Sequence, residues 1–472
     1  MELIKQNKRG FQFVLILIIG LIIWLSPMPE GLTPDAWRLL SIFIATIVGI
    51  VLKPLPMGAI ALFSLTVTVL TETLSFEQAF KGFSQPIVWL VVSAFFIASG
   101  FIKTGLGTRI AYFFMSLFGR TTLGLGYSLA TTELLISPFI PSLTARSGGV
   151  VFPVMKSLSE AFGSHPNDPS ASKMGSFLTL CTFQAAVITS AMFYTAMAGN
   201  PLVADIAKQV NVDLSLTTWA IAAIVPGLAC LVVMPFVIYK IAPPKVKNNP
   251  KAKEYSKEKL KELGKLKPKE WVMFGVFILL IALWSTANIT GISATIAAFI
   301  GLIILLLTGI LEWRDLTKEG GAWDTLVWFS TLVTLGAALN DVGITKWFSD
   351  FIVGQVGGFN WVVAFLLLSL IYFYTHYLFA SNVAHIGAML SPFLLIAVAL
   401  GTPPMLAVLV LAGFSNLFGG LTHYGCGPAP ILFGSGFVKI GTWWRVGFIL
   451  SLFNVTIWLV LGSLWWKLLG MW

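Results

Sequence analysis

Long apolar stretches, separated by short polar breaks, run through almost the whole chain. A helix of roughly 20 apolar residues crosses a hydrocarbon core of about 30 Å, and the stretches have about that length. The alternation typical of a β-barrel is missing, so helices are the remaining way to pair the backbone in lipid. We therefore predict an all-α polytopic membrane protein, with spans near 11–27, 37–53, 56–72, 87–103, 174–200, 214–240, 271–288, 291–312, 323–347, 403–430 and 442–466.

Two other apolar segments are interrupted. One lies near 108–160 and contains Pro138 and Pro141, and the other lies near 358–398. Proline removes a backbone donor and breaks a helix. Irregular backbone at membrane depth is tolerated where it lines a cavity. We predict that these segments are two re-entrant hairpins, which gives about 11 transmembrane helices plus two hairpins.

The sequence contains an internal repeat. Segment 195–201 (TAMAGNP) resembles segment 422–428 (THYGCGP). Five full spans separate the two interrupted segments, and an odd number of spans inverts the second half relative to the first. This predicts the inverted two-fold repeat of secondary transporters. The pairs that recur at a spacing of 239 residues are Trp89 and Trp328, Ser142 and Ser381, Ala145 and Ala384, Gly148 and Gly387, and Pro153 and Pro392.

Charge is sparse and unevenly distributed. Only 11% of the 472 residues are charged, whereas a soluble domain has about 25%. The segment from Lys240 to Glu270 has eleven Lys and four Glu, and so carries +7 of the net +10. By the positive-inside rule it is a cytoplasmic loop, and its part 251–270 is expected to form a surface helix. It lacks Arg and interleaved aromatic residues, which excludes a nucleic-acid site.

Basic residues also orient the chain. Lys5, Lys8 and Arg9 place the N-terminus in the cytoplasm. Six full spans return the chain to the same side at the basic loop, and five more leave the C-terminus outside. No small-residue cleavage site follows the first span, so we expect it to remain as a helix. A bacterial-type plasma (inner) membrane is the simplest location.

The two hairpin tips are the strongest candidates for a binding site. Each tip begins a helix with Ser142-Leu143-Thr144 or Ser381-Asn382-Val383. The first N–H groups of a helix lack intrahelical partners and lie at its positive end, which favours an anion. Two such tips facing each other suit a small dicarboxylate. Helix capping by the hydroxyl groups is the alternative, and one hydroxyl can do both.

Two ionisable residues follow the tips at equivalent positions. They are Arg146 and His385. Ionisable groups at membrane depth are costly and usually functional. Two other interpretations remain open, because Arg146 can pair with Glu133 and His385 can be a neutral, hydrogen-bonded core histidine.

Breaks in two further spans form a second symmetric pair. Asn200-Pro201 follows Gly199, and Gly427-Pro428 follows Cys426. A discontinuous helix of this kind supplies ligands near the membrane midplane, although a single break can be a packing kink. The three cysteines form no CxxC pair, and no P-loop, GxSxG or HExxH motif occurs. We therefore expect no metal, no cofactor, no ATP drive and no enzyme activity.

At these residues the sequence resembles the divalent anion:sodium symporter (DASS) family over nearly its whole length. The family signature is Ser-Asn-Thr at both tips, and each tip here keeps two of its three residues. Sodium-coupled members have small neutral residues at the positions of Arg146 and His385. The pattern SLTAR with SNVAH is more similar to the exchanger branch, which includes plastid 2-oxoglutarate/malate translocators and bacterial citrate/succinate antiporters.

The resemblance implies an architecture and a site. It implies a homodimer that works by an elevator motion, with a fixed scaffold formed by 1–107 and 271–350. The moving transport part is 108–240 with 351–472, and 241–270 is the loop between the halves. The implied substrate-binding residues are Ser142, Leu143, Thr144, Asn200, Pro201, Ser381, Asn382, Val383, Gly427 and Pro428.

The resulting hypothesis is a sodium-independent exchanger of dicarboxylates such as 2-oxoglutarate, malate or succinate. A buried dianion needs compensating charge, which sodium supplies in a symporter and which Arg146 and His385 would supply here. An empty carrier would then hold unpaired positive charge and return poorly. A sodium-coupled di- or tricarboxylate symporter of the same fold stays open as the alternative. An ion channel or a membrane enzyme is more distant.

Overall fold

The structure, a computed structural model, describes residues 2–355 and 360–472. The start of the second interrupted segment, near 358, and the side chains of Lys5 and Lys8 lie outside the described residues. In the described part of the chain the regular structure is helical, without strands. Nine helices there are long and apolar enough to span a membrane, and five apolar helices are shorter. The prediction of an all-α, polytopic membrane protein is thus confirmed.

In the first part of the chain, prolines and hydroxyl caps mark the starts of several helices, and glycines mark the ends of others. The helices are α1 (Glu2–Leu25), α2 (Pro34–Leu52), α3 (Met57–Leu70), α4 (Phe76–Ala79), α5 (Pro86–Thr104), α6 (Leu106–Phe118), α7 (Thr122–Ile136), α8 (Phe152–Ala161), α9 (Gly175–Met192), α10 (Asn200–Ala207) and α11 (Leu216–Ile241).

The second part begins with α12, the linker helix in the basic segment, and is built in the same manner. Its helices are α12 (Pro250–Leu263), α13 (Pro268–Ser285), α14 (Ala287–Thr290), α15 (Ala294–Leu307), α16 (Trp313–Lys318), α17 (Gly320–Asp341), α18 (Ile344–Gln355), α19 (Trp361–Tyr374), α20 (Asn382–His385), α21 (Ser391–Ala399), α22 (Pro404–Leu417), α23 (Ala429–Gly434), α24 (Ile440–Thr456) and α25 (Ser463–Leu468).

In both interrupted segments the α-helix breaks, as predicted. After α7 the chain forms a 3₁₀ turn at Ser137–Phe139, an extended stretch around Ile140 and a π-helical turn at Thr144–Val151. After α19 it forms a 3₁₀ turn at Thr375–Leu378 and an extended stretch at Phe379 before α20. Pro138 and Pro141 prevent the first chain from continuing as a helix, because each lacks a backbone donor.

Two predicted boundaries differ from the structure. The segment predicted as one unit from 108 contains a separate helix α6, since Gly119 ends α6 and the hydroxyl of Thr121 caps α7. The span predicted to reach 347 ends at Asp341, because Gly343 adopts a left-handed backbone (φ 82°) before α18 begins. Left-handed backbone suits glycine and ends a helix. These two turns are local, and periodicity of apolar residues does not reveal them.

The two broken helices form the centre of the fold. α9 is buried along almost its whole length and packs on α7, α11 and α22. α22 is buried from Leu406 to Leu417. Glycines allow close contacts here, because a Cβ at Gly227 would meet Met192 and one at Gly413 would meet the Trp458 ring. Both broken helices therefore place their breaks deep inside the protein.

The basic segment between the halves contains the expected helix. Arg109 on α6 donates to the Glu270 carboxylate at 2.6 Å and to the carbonyl oxygens of Leu263 and Gly264 at the end of α12. The Tyr255 hydroxyl lies 3.0 Å from that of Ser157 on α8. The linker helix is thus fixed to α6 and to the second arm of the first hairpin.

Candidate functional site

The first hairpin tip is a serine-capped helix start. Ser142 Oγ accepts a hydrogen bond from the Ala145 N–H at 3.2 Å, and its carbonyl oxygen accepts one from the Arg146 N–H at 2.9 Å. The N–H groups of Leu143 and Thr144 lie before the first intrahelical hydrogen bond and therefore have no intrahelical acceptor. Ser142 and Thr144 are half-buried, whereas the Leu143 side chain is buried. This tip presents two backbone donors and two hydroxyl groups.

The second tip has the same geometry. Ser381 Oγ accepts from the Ala384 N–H at 3.4 Å, and the Ser381 carbonyl oxygen accepts from the His385 N–H at 3.1 Å. The N–H groups of Asn382 and Val383 lie at the helix start and have no intrahelical acceptor. Both serines are N-caps, as the alternative interpretation held. Capping uses their Oγ atoms as acceptors, so it is compatible with an anion at the neighbouring N–H groups.

Each tip packs against the break of the other half. A Cβ at Gly427 would collide with the Oγ1 of Thr144, so the Thr144 side chain of the first tip packs directly on the backbone of the second break. A Cβ at Gly199 would meet Ile386 at 2.8 Å, which places the first break against the second hairpin. The structure thus brings together the two pairs of elements that the sequence singled out.

A chain of buried asparagines connects three of these elements. Asn416 at the end of α22 donates to Asn200 Oδ1 at 2.8 Å, and Asn200 in turn donates to the carbonyl oxygens of Ser190 and Phe193. Asn382 donates to the carbonyl oxygen of Ser415 at 3.2 Å. These bonds fix the first break, the end of α22 and the second tip relative to one another.

Two of the connecting residues escaped the sequence analysis. Asn416 and Gln184 are each buried in an apolar helix, and Gln184 donates to the carbonyl oxygen of Gly420 at 2.9 Å. A lone amide in an apolar span is the signal that points to such residues, since a buried amide requires partners. Their partners lie more than 200 positions away and cannot be read from spacing.

The remaining predicted residues lie around the breaks. Pro201 is buried in the first turn of α10. Pro428 precedes the first residue of α23. Its carbonyl oxygen accepts a hydrogen bond from the Leu432 N–H at 3.0 Å. Both prolines begin the helix that resumes after the break, a position where the missing N–H has no cost.

Arg146 is not the free cation that the sequence hypothesis requires. Its Nε donates to the Glu133 carboxylate at 2.8 Å, and both side chains are fully buried. Its Nη atoms donate to the carbonyl oxygens of Ile140, Ala196 and Ala186 at 2.8–3.1 Å. Glu133 compensates the charge because the chain reverses at the tip and returns Arg146 beside the end of α7. The countercharge assignment is therefore corrected to an ion pair.

The same contacts give Arg146 another role. Ile140 precedes the first tip, Ala196 lies in the first break and Ala186 lies on α9. The guanidinium has five donors in a fixed plane, and here it connects the tip, the break and the central helix. In this conformation Arg146 binds protein oxygens and holds the first tip in place.

His385 is held in a chain of imidazoles. His376 Nε2 donates to the Gly425 carbonyl oxygen at 2.9 Å, which leaves His376 Nδ1 to accept from His385 Nδ1 at 2.9 Å. His385 Nε2 lies 3.4 Å from Thr375 Oγ1, and the Thr375 hydroxyl donates to the Tyr372 carbonyl oxygen at 3.0 Å. Both rings stack on Phe418. His385 is therefore a buried, hydrogen-bonded histidine whose contacts in this structure are with groups of the protein.

The histidine chain corresponds to the arginine contacts of the first half. His376 and His385 belong to the second hairpin, and Gly425 belongs to the second break. In each half, therefore, side-chain hydrogen bonds connect the hairpin to the break beside it.

The chain is similar to known membrane transporters over almost its whole length. Residues 7–472 match the family described as the sodium:sulfate symporter transmembrane region. The Bacillus subtilis (strain 168) protein YflS, whose name assigns it provisionally to malate transport, is 54% identical over 470 residues, which are 99% of this chain and 98% of that protein. Dicarboxylate transporter 1, chloroplastic, of Arabidopsis thaliana is 50% identical over 456 residues, with coverage of 96% and 82%.

Among solved structures, the YdaH transporter of Alcanivorax borkumensis has a TM-score of 0.56. The alignment covers 99% of this chain and 98% of that chain at 14% sequence identity. That likeness concerns the fold alone.

Proposed function

Since this chain belongs to the sodium:sulfate symporter (DASS) family, whose members are membrane transporters and not enzymes, we propose that it exchanges dicarboxylates across a plasma membrane without sodium. Relatives named for malate and dicarboxylate transport support the substrate class. The observation that carries the sodium-independent part is the set of contacts made by Arg146.

The two tips suit a substrate with two carboxylates. Each offers two consecutive backbone N–H groups at a helix start, at Leu143 and Thr144 in one tip and at Asn382 and Val383 in the other. Charge-assisted bonds from N–H groups to a carboxylate are about twice as strong as neutral ones. One carboxylate at each tip would compensate both positive helix ends, in keeping with a small dianion such as malate, succinate or 2-oxoglutarate.

Arg146 takes the place that a bound cation would occupy. Carbonyl oxygens that converge from separate elements are typical ligands of hard cations. In this chain the guanidinium already occupies the oxygens of Ile140, Ala196 and Ala186. Sodium is then not needed to connect the first tip to the first break. His376 and His385 make the corresponding connection in the second half.

Obligatory exchange requires a different cause from the one inferred from the sequence. With Glu133 beside Arg146, the empty site carries no uncompensated guanidinium charge. The N–H groups of both tips nevertheless lose hydration when the site crosses the membrane, and an unpaired polar group costs roughly 1–3 kcal/mol in protein interiors. Bound substrate removes that cost. Return of the empty carrier is therefore slow.

The order of elements supports an inverted repeat. From α5 to α11 and again from α17 to α25, the chain forms a long helix, a short helix, a hairpin with a capped tip and a broken helix. The transport part would comprise 108–240 and 351–472, and the scaffold 1–107 and 271–350. The chain would work as a homodimer, with a cytoplasmic N-terminus and an external C-terminus, and the bilayer would hold the scaffold.

A cavity between these parts supports the elevator motion. It has a volume of about 410 Å³ and lies between α2, α17 and α18 on one side and α10 and α21 on the other. Its walls include the polar side chains of Asp205, Gln209 and Ser391. A gap with polar lining lets the transport part slide against the scaffold without separating a dry, interlocked core.

A sodium-coupled symporter of the same fold is the second candidate, and one observation favours it. The side-chain oxygens of Asn382 and Asn416 are buried and have no hydrogen-bond partner within the described residues. Amide oxygens are suitable ligands for hard cations. A single sodium near the second tip would satisfy both oxygens, and transport would then depend on sodium.

Flux into liposomes distinguishes the two candidates. We expect labelled malate to enter vesicles preloaded with malate, succinate or 2-oxoglutarate, at the same rate with sodium or potassium as the only cation. Uptake into empty vesicles should be at least tenfold slower. Unlabelled dicarboxylates should compete, whereas acetate should not. Uptake into empty vesicles that requires a sodium gradient would overturn the exchanger and support the symporter.

A further inference from the structure

Lys53 stands at the end of α2 in a backbone conformation that lysine rarely adopts. Its φ and ψ are 51° and 50°, and its N–H caps α2 by donating to the Gly49 carbonyl oxygen at 2.9 Å. Left-handed backbone costs a residue with a side chain about 1–2 kcal/mol, and glycine is the usual residue at such a cap. The cap needs only the backbone, so the cap does not explain why a lysine is present.

The Lys53 side chain reaches the second hairpin. Its Nζ lies 3.5 Å from the carbonyl oxygen of Ala380, which directly precedes the capping Ser381. Ala380 is exposed and Ser381 is partly exposed. α2 also packs on the same hairpin, since a Cβ at Gly387 would lie 3.5 Å from Ile47. The ammonium group is thus beside the tip where a carboxylate is proposed to bind.

Lys53 also differs from the other basic residues near the tips in its surroundings. Arg146 is paired with Glu133, and His376 and His385 are buried and hydrogen-bonded to each other. No carboxylate within the described part of the chain lies within 4.0 Å of Lys53 Nζ. Its positive charge is available for an anion in solution.

We propose that Lys53 is a specificity-determining residue that attracts the substrate dianion to the second tip. This inference rests on the proposed dicarboxylate transport. The ammonium group adds one positive charge near the carboxylate held by Asn382 and Val383, so a dicarboxylate is preferred over a monocarboxylate. Because α2 belongs to the proposed scaffold, the charge stays behind when the transport part moves. Lys53 therefore aids binding from one face of the membrane only.

Substitution of Lys53 separates this role from a structural one. In proteoliposomes of defined orientation, Lys53→Gln and Lys53→Gly should raise the KM for malate about tenfold on one face and leave it unchanged on the other. The dependence of KM on salt should become flatter on the affected face, because surface attraction is screened by ions. Lys53→Arg should stay within about threefold of the unaltered protein.

Two controls exclude a folding effect. Lys53→Gly should melt at the same or a higher temperature, because glycine relieves the left-handed backbone. Lys81→Gln removes an exposed lysine elsewhere on the scaffold and should change neither KM nor its salt dependence. If the unaltered protein transports malate but Lys53→Gln and Lys53→Gly keep its KM and salt dependence, this inference is wrong. If the unaltered protein transports no dicarboxylate, the proposed function fails instead.

Discussion

Replacing Arg146 with alanine is expected to abolish exchange and to lower the melting temperature sharply. The substitution leaves the Glu133 carboxylate buried without a partner and releases the carbonyl oxygens of Ile140, Ala196 and Ala186. Breaking a buried ion pair from one side costs about 3–5 kcal/mol. The first tip and the first break would also lose their connection. Exchange in liposomes and thermal unfolding in detergent measure the two effects.

A matched variant separates stability from transport. Replacing both members of the pair, with Arg146→Met and Glu133→Leu, removes both buried charges and should recover most of the lost stability. Exchange should stay at least a hundredfold below that of the unaltered protein, because the apolar pair cannot donate to the carbonyl oxygens. Full exchange by the Arg146→Ala variant would contradict the role assigned to the guanidinium.

Gly427→Ala should reduce exchange at least tenfold, with little change in stability. A methyl group at this position collides with Thr144 Oγ1, so the Thr144 side chain must leave its place at the first tip. A misplacement of about 1 Å at a binding site can change rates by about a hundredfold. Initial exchange rates at saturating and limiting malate show whether binding or movement is affected.

The control for this prediction lies seven residues further on, in the helix after the break. A Cβ at Gly434 on α23 has no neighbour within 4 Å, so Gly434→Ala should leave the exchange rate unchanged. Combining Gly427→Ala with Thr144→Ala removes the colliding atom and should recover part of the lost activity, which is the coupling expected of residues in contact. An active Gly427→Ala variant would show that the tip and the break need not touch.

The features that could be predicted from the sequence are those set by local chemistry. Proline and glycine mark the reversals and the breaks, and serine marks the helix starts, because these residues act on the backbone within a few positions. The residue type of Ser142 and Ser381 left helix capping open as the alternative to anion binding, and the structure has both caps. The residues of the tips and breaks are indeed close to one another.

Long-range contacts could not be predicted from the sequence. The sequence left two roles open for Arg146, a free countercharge or a partner of Glu133, and hydropathy does not show the extended tip that brings Arg146 and Glu133 together. Asn416 and Asn200 are 216 positions apart and meet only after the two halves interlock. Coulomb and hydrogen-bond energies depend on such distances in space, so the electrostatic part of the hypothesis changed most.

Equilibrium binding of malate with and without sodium tests the central claim most directly. If Arg146 and the histidine chain already hold the tips against the breaks, the purified protein should bind malate with the same Kd in sodium chloride, potassium chloride and choline chloride of equal ionic strength. Sodium alone should not raise the melting temperature beyond the effect of potassium, since a ligand that does not bind the folded state cannot stabilise it. A Kd that falls as sodium rises, with a matching sodium-specific gain in melting temperature, would contradict the account.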